Sequence, residues 1–96
     1  MRILSEVEIH SALQTLPSWE RRGQRLIREV RFPNFVTAVE YVNHLVAPAE
    51  ALGHHPDLEV GWGRVVISLT THDAGGLTDL DLQLAAAIDL LDNQAR

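Results

Sequence analysis

Leu58-Glu59-Val60-Gly61-Trp62-Gly63-Arg64-Val65-Val66-Ile67-Ser68-Leu69 reads as two alternating runs around a Gly-Trp-Gly turn. Leu58, Val60 and Trp62 share one side of the first run; Val65, Ile67 and Leu69 share one side of the second. Alternation with a period of two is the mark of strands that bury a single face, so the stretch predicts a hairpin turning at Gly61 to Gly63. Upstream, Phe35, Ala38, Val39, Val42, Leu45, Ala49 and Leu52 recur at helical spacing after Asn34, which can cap them. Pro48 lies inside that stripe, removes the amide that would bond the carbonyl of His44, and predicts a kink between His44 and Pro48. The stripe resumes in phase, so one helix is expected rather than two, ended by Gly53.

Further out, Trp19 to Phe32 repeats the strand pattern. Leu26, Val30 and Phe32 fall on one side, with Arg28 among them as a long-stemmed exception, and Gly23 marks a second hairpin loop. Leu4-Ser5-Glu6-Val7-Glu8-Ile9 carries a capping box, Ser5 with Glu8, and a staple between Leu4 and Ile9. Ile9, Ala12, Leu13 and Leu16 continue that helix until Pro17. A last helix opens at Thr78 and buries Leu80, Leu84, Ile88 and Leu91. The order is α-β-β-α-β-β-α. It predicts an α+β fold, one four-stranded antiparallel sheet with three helices packed on one face.

Composition bounds the chemistry. The 96 residues suit a single domain spanning 1–96. No cysteine is present, which excludes disulfides, thiolate metal sites and a cysteine nucleophile. A formal charge of −5, with every basic residue an arginine, argues against a nucleic-acid surface. It also removes Schiff-base and P-loop lysines. The N-terminal segment has no signal-like apolar run and no stretch approaches the ~20 residues of a spanning helix, so a cytoplasmic location away from membranes is expected. Five histidines remain as the conspicuous reactive groups.

Three of these histidines sit at element junctions. His54 and His55, in Glu50-Ala51-Leu52-Gly53-His54-His55-Pro56-Asp57, lie where the long helix meets a strand. His72, in Thr70-Thr71-His72-Asp73, follows the end of the next strand. The start of one hairpin strand and the end of the other share a sheet edge, so His72 is expected to return near His54 and His55. Three imidazoles beside a carboxylate could perform general acid and base chemistry, with ordinary pKa values near ~6.5. A polar His-His-Pro turn, strand-end capping by Thr71 and His72, and a three-histidine zinc site are the competing readings. Adjacent residues of an extended chain point to opposite sides, which opposes joint ligation of one metal by His54 and His55. Asp81 completes a capping-box pattern with Thr78, and its charge suits the helix N-terminus. His10 and His44 fall within helices and read as structural or surface residues.

The combination Glu50-x-x-x-His54-His55-Pro56, Trp62, Thr71-His72 and Gly76-Leu77-Thr78-x-x-Asp81, together with Trp19 and Phe32-x-x-Phe35, resembles the pterin-4a-carbinolamine dehydratase family over nearly the whole chain. The resemblance implies a hydro-lyase that removes water from 4a-hydroxytetrahydropterin to give quinonoid dihydropterin. That reaction recycles the tetrahydropterin cofactor of aromatic amino acid hydroxylases and needs no metal or redox cofactor. It implies that His54 and His72 form the acid/base pair, that His55 binds and orients the pterin, and that Asp81 holds an imidazole in its useful tautomer. Gly53, His54, His55, Thr70, Thr71, His72 and Asp73 match segments that line the family's pterin pocket. A homodimer or homotetramer is implied as well. Gly53 stands where many relatives carry Asp or Asn, and Leu80 where animal members carry Arg. The alternative is a non-catalytic pterin-binding or protein-interaction module, like the dimerisation cofactor role of animal members.

Overall fold

The structure, a computed structural model, describes residues 1–95. Helix α1 (Glu6–Leu13) is followed by strands β1 (Glu20–Arg22) and β2 (Arg25–Arg31), then helix α2 (Phe35–Leu52). Strands β3 (Asp57–Gly61) and β4 (Arg64–Leu69) and helix α3 (Asp79–Ala95) complete the chain. The order is the one read from the sequence. Each hairpin closes through a glycine-containing turn, and at Gly23 a φ of 58° explains the residue chosen. The two hairpins join through β2 and β4, giving the antiparallel order β1-β2-β4-β3.

One face of the sheet is apolar because alternate residues of each central strand are. Leu26 and Val30 of β2 lie beside Val65, Ile67 and Leu69 of β4, all buried. Helices cover that face with Ile9, Ala38, Tyr41, Leu45, Leu84, Ala85 and Ile88 in a single cluster. The opposite face carries Arg25, Arg31 and Arg64, paired with Asp57 and Glu29. Such exposed pairs contribute little stability each. Their consequence is that the uncovered face stays wet.

The predicted α1 start is present in full: Ser5 Oγ accepts from the Glu8 amide and Glu8 accepts from the Ser5 amide. Helix α2 passes through Pro48 as one element, as its in-phase stripe required. Its buried line differs from expectation. Phe35 is 51% exposed, and Tyr41, absent from the predicted stripe, is buried. Phe32 explains the exchange. Its ring packs against Tyr41 with centroids 5.0 Å apart, so that end of the core is filled from the strand side.

Arg28, the exception in the buried face of β2, is accounted for by α3. Its guanidinium pairs with Asp89 at 2.6 Å and with Asp92, while Trp19 Nε1 donates to Asp89 at 2.9 Å. A buried cation is tolerable only when paired this way. The cluster fastens α3 to the sheet.

Candidate functional site

The end of α2 sets the position of the first histidines. Gly53 adopts the left-handed conformation (φ 60°), its amide donating to the Glu50 carbonyl at 3.2 Å while the His54 amide donates to that of Ala49 at 3.1 Å. This paired closure is a Schellman motif. It explains Gly53: glycine, asparagine and aspartate are the residues that enter the left-handed region most readily. It also fixes the backbone of His54 to the helix and spends the Gly53 amide.

Strand pairing then brings the second segment alongside. Asp57 of β3 stands opposite Ser68 of β4, so residues just before Asp57 meet those just after Ser68. Beyond Leu69 the chain forms a turn closed by an isolated bridge between Thr71 and Gly76. The Thr71 carbonyl accepts from the Gly75 amide at 3.0 Å, and Gly75 has a φ of 77°. That turn delivers the chain to Thr78 and the first turn of α3. Leu77 is tied to the N-terminal segment by the Leu4 amide at 2.8 Å.

Asp81 is where these segments converge. Its side chain is fully buried and serves three partners: His54 Nε2 at 2.7 Å on Oδ1, and the Thr71 hydroxyl at 2.8 Å and the Thr78 amide at 2.9 Å on Oδ2. Hydrogen bonds to a charged group are worth about 1.5–3 kcal/mol each, and a buried carboxylate left short of donors would cost as much. A carboxylate only accepts, so Nε2 of His54 carries a proton and Nδ1 is the nitrogen left for exchange. The predicted capping relation is half met. Asp81 accepts from Thr78, but the Thr78 hydroxyl takes the Leu80 amide at 3.3 Å rather than that of Asp81.

The other two histidines are exposed, each beside a carboxylate. His55 Nε2 lies 2.5 Å from Glu50 Oε2, one helical turn and a bend away in sequence. His72 Nε2 lies 3.5 Å from Asp57 Oδ2. Asp57 also receives the Arg25 guanidinium at 3.0 Å, and that hydrogen bond, followed by the charges of Arg25 and His72, holds its carboxyl below the ordinary carboxylate range. Arg25 is steadied in turn by Ser68 at 2.7 Å. A groove of about 210 Å³ runs between α2 and β3, lined by Val42, Leu45, Ala49 and Leu58, with Glu50 and His55 among its polar lining.

The sequence-predicted residues are therefore brought together unequally. His54, Thr71 and Asp81 form one bonded unit, while His55 and His72 stand at its exposed margin with their own acidic partners. The Thr70 hydroxyl turns away to the Gln24 carbonyl at 2.6 Å, and Asp73 is exposed on the turn. His10 and His44 are exposed on their helices, outside this cluster. Among the described residues, no three histidine, aspartate or glutamate side chains are grouped to hold a metal ion. None of the described helices is long and apolar enough to cross a membrane. Arg25 and the pairing role of Asp57 were missed from sequence, and Thr78 was read there only as a helix cap and motif residue. Register alone could have placed Asp57 beside the end of β4.

A family model described as pterin 4 alpha carbinolamine dehydratase matches residues 2–91. A Cyanothece relative provisionally named pterin-4-alpha-carbinolamine dehydratase is 48% identical over 90 residues, covering 94% of this chain and 93% of its own. A Chloroflexus aurantiacus relative with the same provisional name is 49% identical, covering 90% of this chain and 92% of its own. Among solved structures, a transcriptional coactivator/pterin dehydratase from Brucella melitensis superposes with a TM-score of 0.86 at 31% identity, over 93% of this chain and 97% of that one. A pterin dehydratase-like protein identified as a RuBisCO assembly factor of the alpha-carboxysome gives 0.63 at 26% identity, over 77% of this chain and 88% of that one.

Proposed function

The chain belongs to the pterin-4-alpha-carbinolamine dehydratase family, and from that premise we propose that it removes water from a 4a-hydroxytetrahydropterin by histidine acid/base catalysis. The observation that carries this reading is the buried Asp81–His54 pair, which leaves Nδ1 of an oriented imidazole free. In the reaction the C4a–O bond breaks, the hydroxyl leaves as water after accepting a proton, and a proton is lost from the nitrogen side of the ring. One group must give a proton and another must take one, and the net change is loss of water. His54 and His72 are the pair in this reading. Asp57 holds the His72 ring through its ionised carboxylate, and His55 with Glu50 binds the pterin at the edge of the apolar groove.

The test is turnover of freshly generated 4a-hydroxytetrahydropterin by stopped flow. General acid/base groups contribute about 10²–10⁴-fold, so His54→Ala and His72→Ala should each lose at least about a hundredfold while staying folded. Near-wild-type rates in both variants would sink the proposal. The second reading, a non-catalytic pterin-binding or interaction module, is favoured by the assembly-factor role of one structural relative. It predicts pterin binding by tryptophan quenching without turnover, or no pterin binding at all. A homodimer or homotetramer is part of the proposal, supported by exposed Phe35, Val36, Val46, Val60 and Trp62, and light scattering checks it.

A further inference from the structure

Two threonines, neither of them ionisable, stand behind the Asp81–His54 pair. Thr78 is fully buried, and its hydroxyl lies 2.7 Å from that of Thr71. Hydrogen-bond directions in this group follow from counting protons. The single hydroxyl proton of Thr71 goes to Asp81 Oδ2 at 2.8 Å, so Thr71 can only accept from Thr78. Thr78 Oγ then accepts from the Leu80 amide at 3.3 Å. The chain runs one way: Leu80 amide, Thr78 hydroxyl, Thr71 hydroxyl, Asp81 carboxylate, with His54 Nε2–H arriving on the other oxygen.

We infer that Thr78 is a positioning residue for the reaction, its hydroxyl locking that of Thr71 onto Asp81 so that the carboxylate plane holds the His54 ring. Thr78 acts on Asp81 twice, directly through its amide and indirectly through its hydroxyl. Two donors on Oδ2 prevent the carboxylate from turning, and Oδ1 is thereby aimed at Nε2. Without the Thr78 hydroxyl, the Thr71 rotor loses the bond that selects its direction. The role is distinct from capping α3, which needs only an acceptor for the Leu80 amide. It rests on the reading of His54 as an exchanging imidazole.

The experiment compares Thr78→Val with Thr78→Ser. Turnover is measured alongside the NMR resonance of the His54 Nε2 proton, which reports the bond to Asp81 whether or not the protein turns substrate over. Thr78→Val should lower kcat on the order of tenfold, equal to about 1.4 kcal/mol, with KM unchanged. The Nε2 proton should move from its wild-type position. Thr78→Ser, which keeps the hydroxyl, should restore both. Should Thr78→Val fail to fold, Thr71→Val breaks the same chain one link nearer Asp81 while leaving the α3 cap in place, and the same changes are expected. A folded variant lacking either hydroxyl that keeps the wild-type kcat and proton resonance overturns the inference. A wild-type protein without dehydratase activity would instead sink the proposed function, and the resonance would still decide the role of Thr78.

Discussion

Helix α3 carries two acidic stations about 12–16 Å apart, and they do opposite things. At its first turn Asp81 receives an imidazole, two threonine-borne donors and nothing cationic by necessity. Near its other end Asp89 and Asp92 receive the guanidinium of Arg28, with Trp19 donating to Asp89. The difference lies in the partner. Arginine stays protonated at any relevant pH, so its cluster can only fasten the helix to the sheet. Histidine exchanges protons by nature, so in the proposed reaction the same kind of carboxylate on the same helix becomes a support for chemistry.

The comparison breaks if removing either station produces the other's effect. Asp81→Asn keeps the shape and the caps but supplies an amide that can donate to Nε2, which favours the wrong tautomer. Turnover should fall by at least about a hundredfold, the scale of an acid/base group lost, with the fold retained by circular dichroism. Arg28→Met should leave kcat unchanged in the folded fraction. It strands Asp92 at a buried site and leaves Asp89 with Trp19 alone, which costs about 3–5 kcal/mol in urea denaturation. A stable Arg28→Met protein, or an active Asp81→Asn protein, would erase the distinction.

Periodicity shows the elements, and register follows from them, which is why the sequence leads to the expectation that His72 returns toward His54 and His55. The pairing Asp57↔Ser68 is what a hairpin turning at Trp62-Gly63 must produce. The Arg28 cluster was not legible. Its arginine was visible only as a misfit on a buried face, and its acidic partners lie some sixty residues later in sequence. Tyr41 was missed for a related reason: the stripe of α2 was phased from Phe35, and Phe32 holds that end of the core instead. Asp81 could be read as a helix cap from spacing. Its bond to His54 depends on a turn, Thr71 to Gly76, whose path no periodicity describes.

Gly63 offers an intermediate effect at the sheet end remote from the histidines. Its carbonyl accepts from the Phe32 amide at 2.8 Å, and a Cβ placed there would lie 2.6 Å from the Phe32 carbonyl oxygen. Both contacts are backbone, so a methyl group can be accommodated only by moving a strand end. Gly63→Ala should cost about 1–3 kcal/mol, the usual range for overpacking, with turnover per folded molecule unchanged. A large loss of kcat would mean that the two ends of the sheet are coupled, and the separation of fastening from chemistry would need revision.

Tyr41 gives the smallest and most selective test. Its hydroxyl is buried beside Asp92, and burial first, then the aspartate, pushes its pKa up. The folded value lies above the unfolded value of 10.0, so the neutral phenol's contribution is fully present below pH 10. It is lost as pH rises toward the folded value, because only the unfolded chain ionises easily there. Tyr41→Phe removes that liability. Near neutrality the substitution should change stability by no more than about 1 kcal/mol, since the hydroxyl makes no well-formed hydrogen bond. Above pH 10 the variant should hold its stability while the parent declines, read as diverging urea midpoints. The alkaline response of the Arg28 end of α3 would then run through a phenol that takes no part in turnover. Parallel decline of both proteins would show that the alkaline loss comes from elsewhere and that Tyr41 is packed without electrostatic consequence.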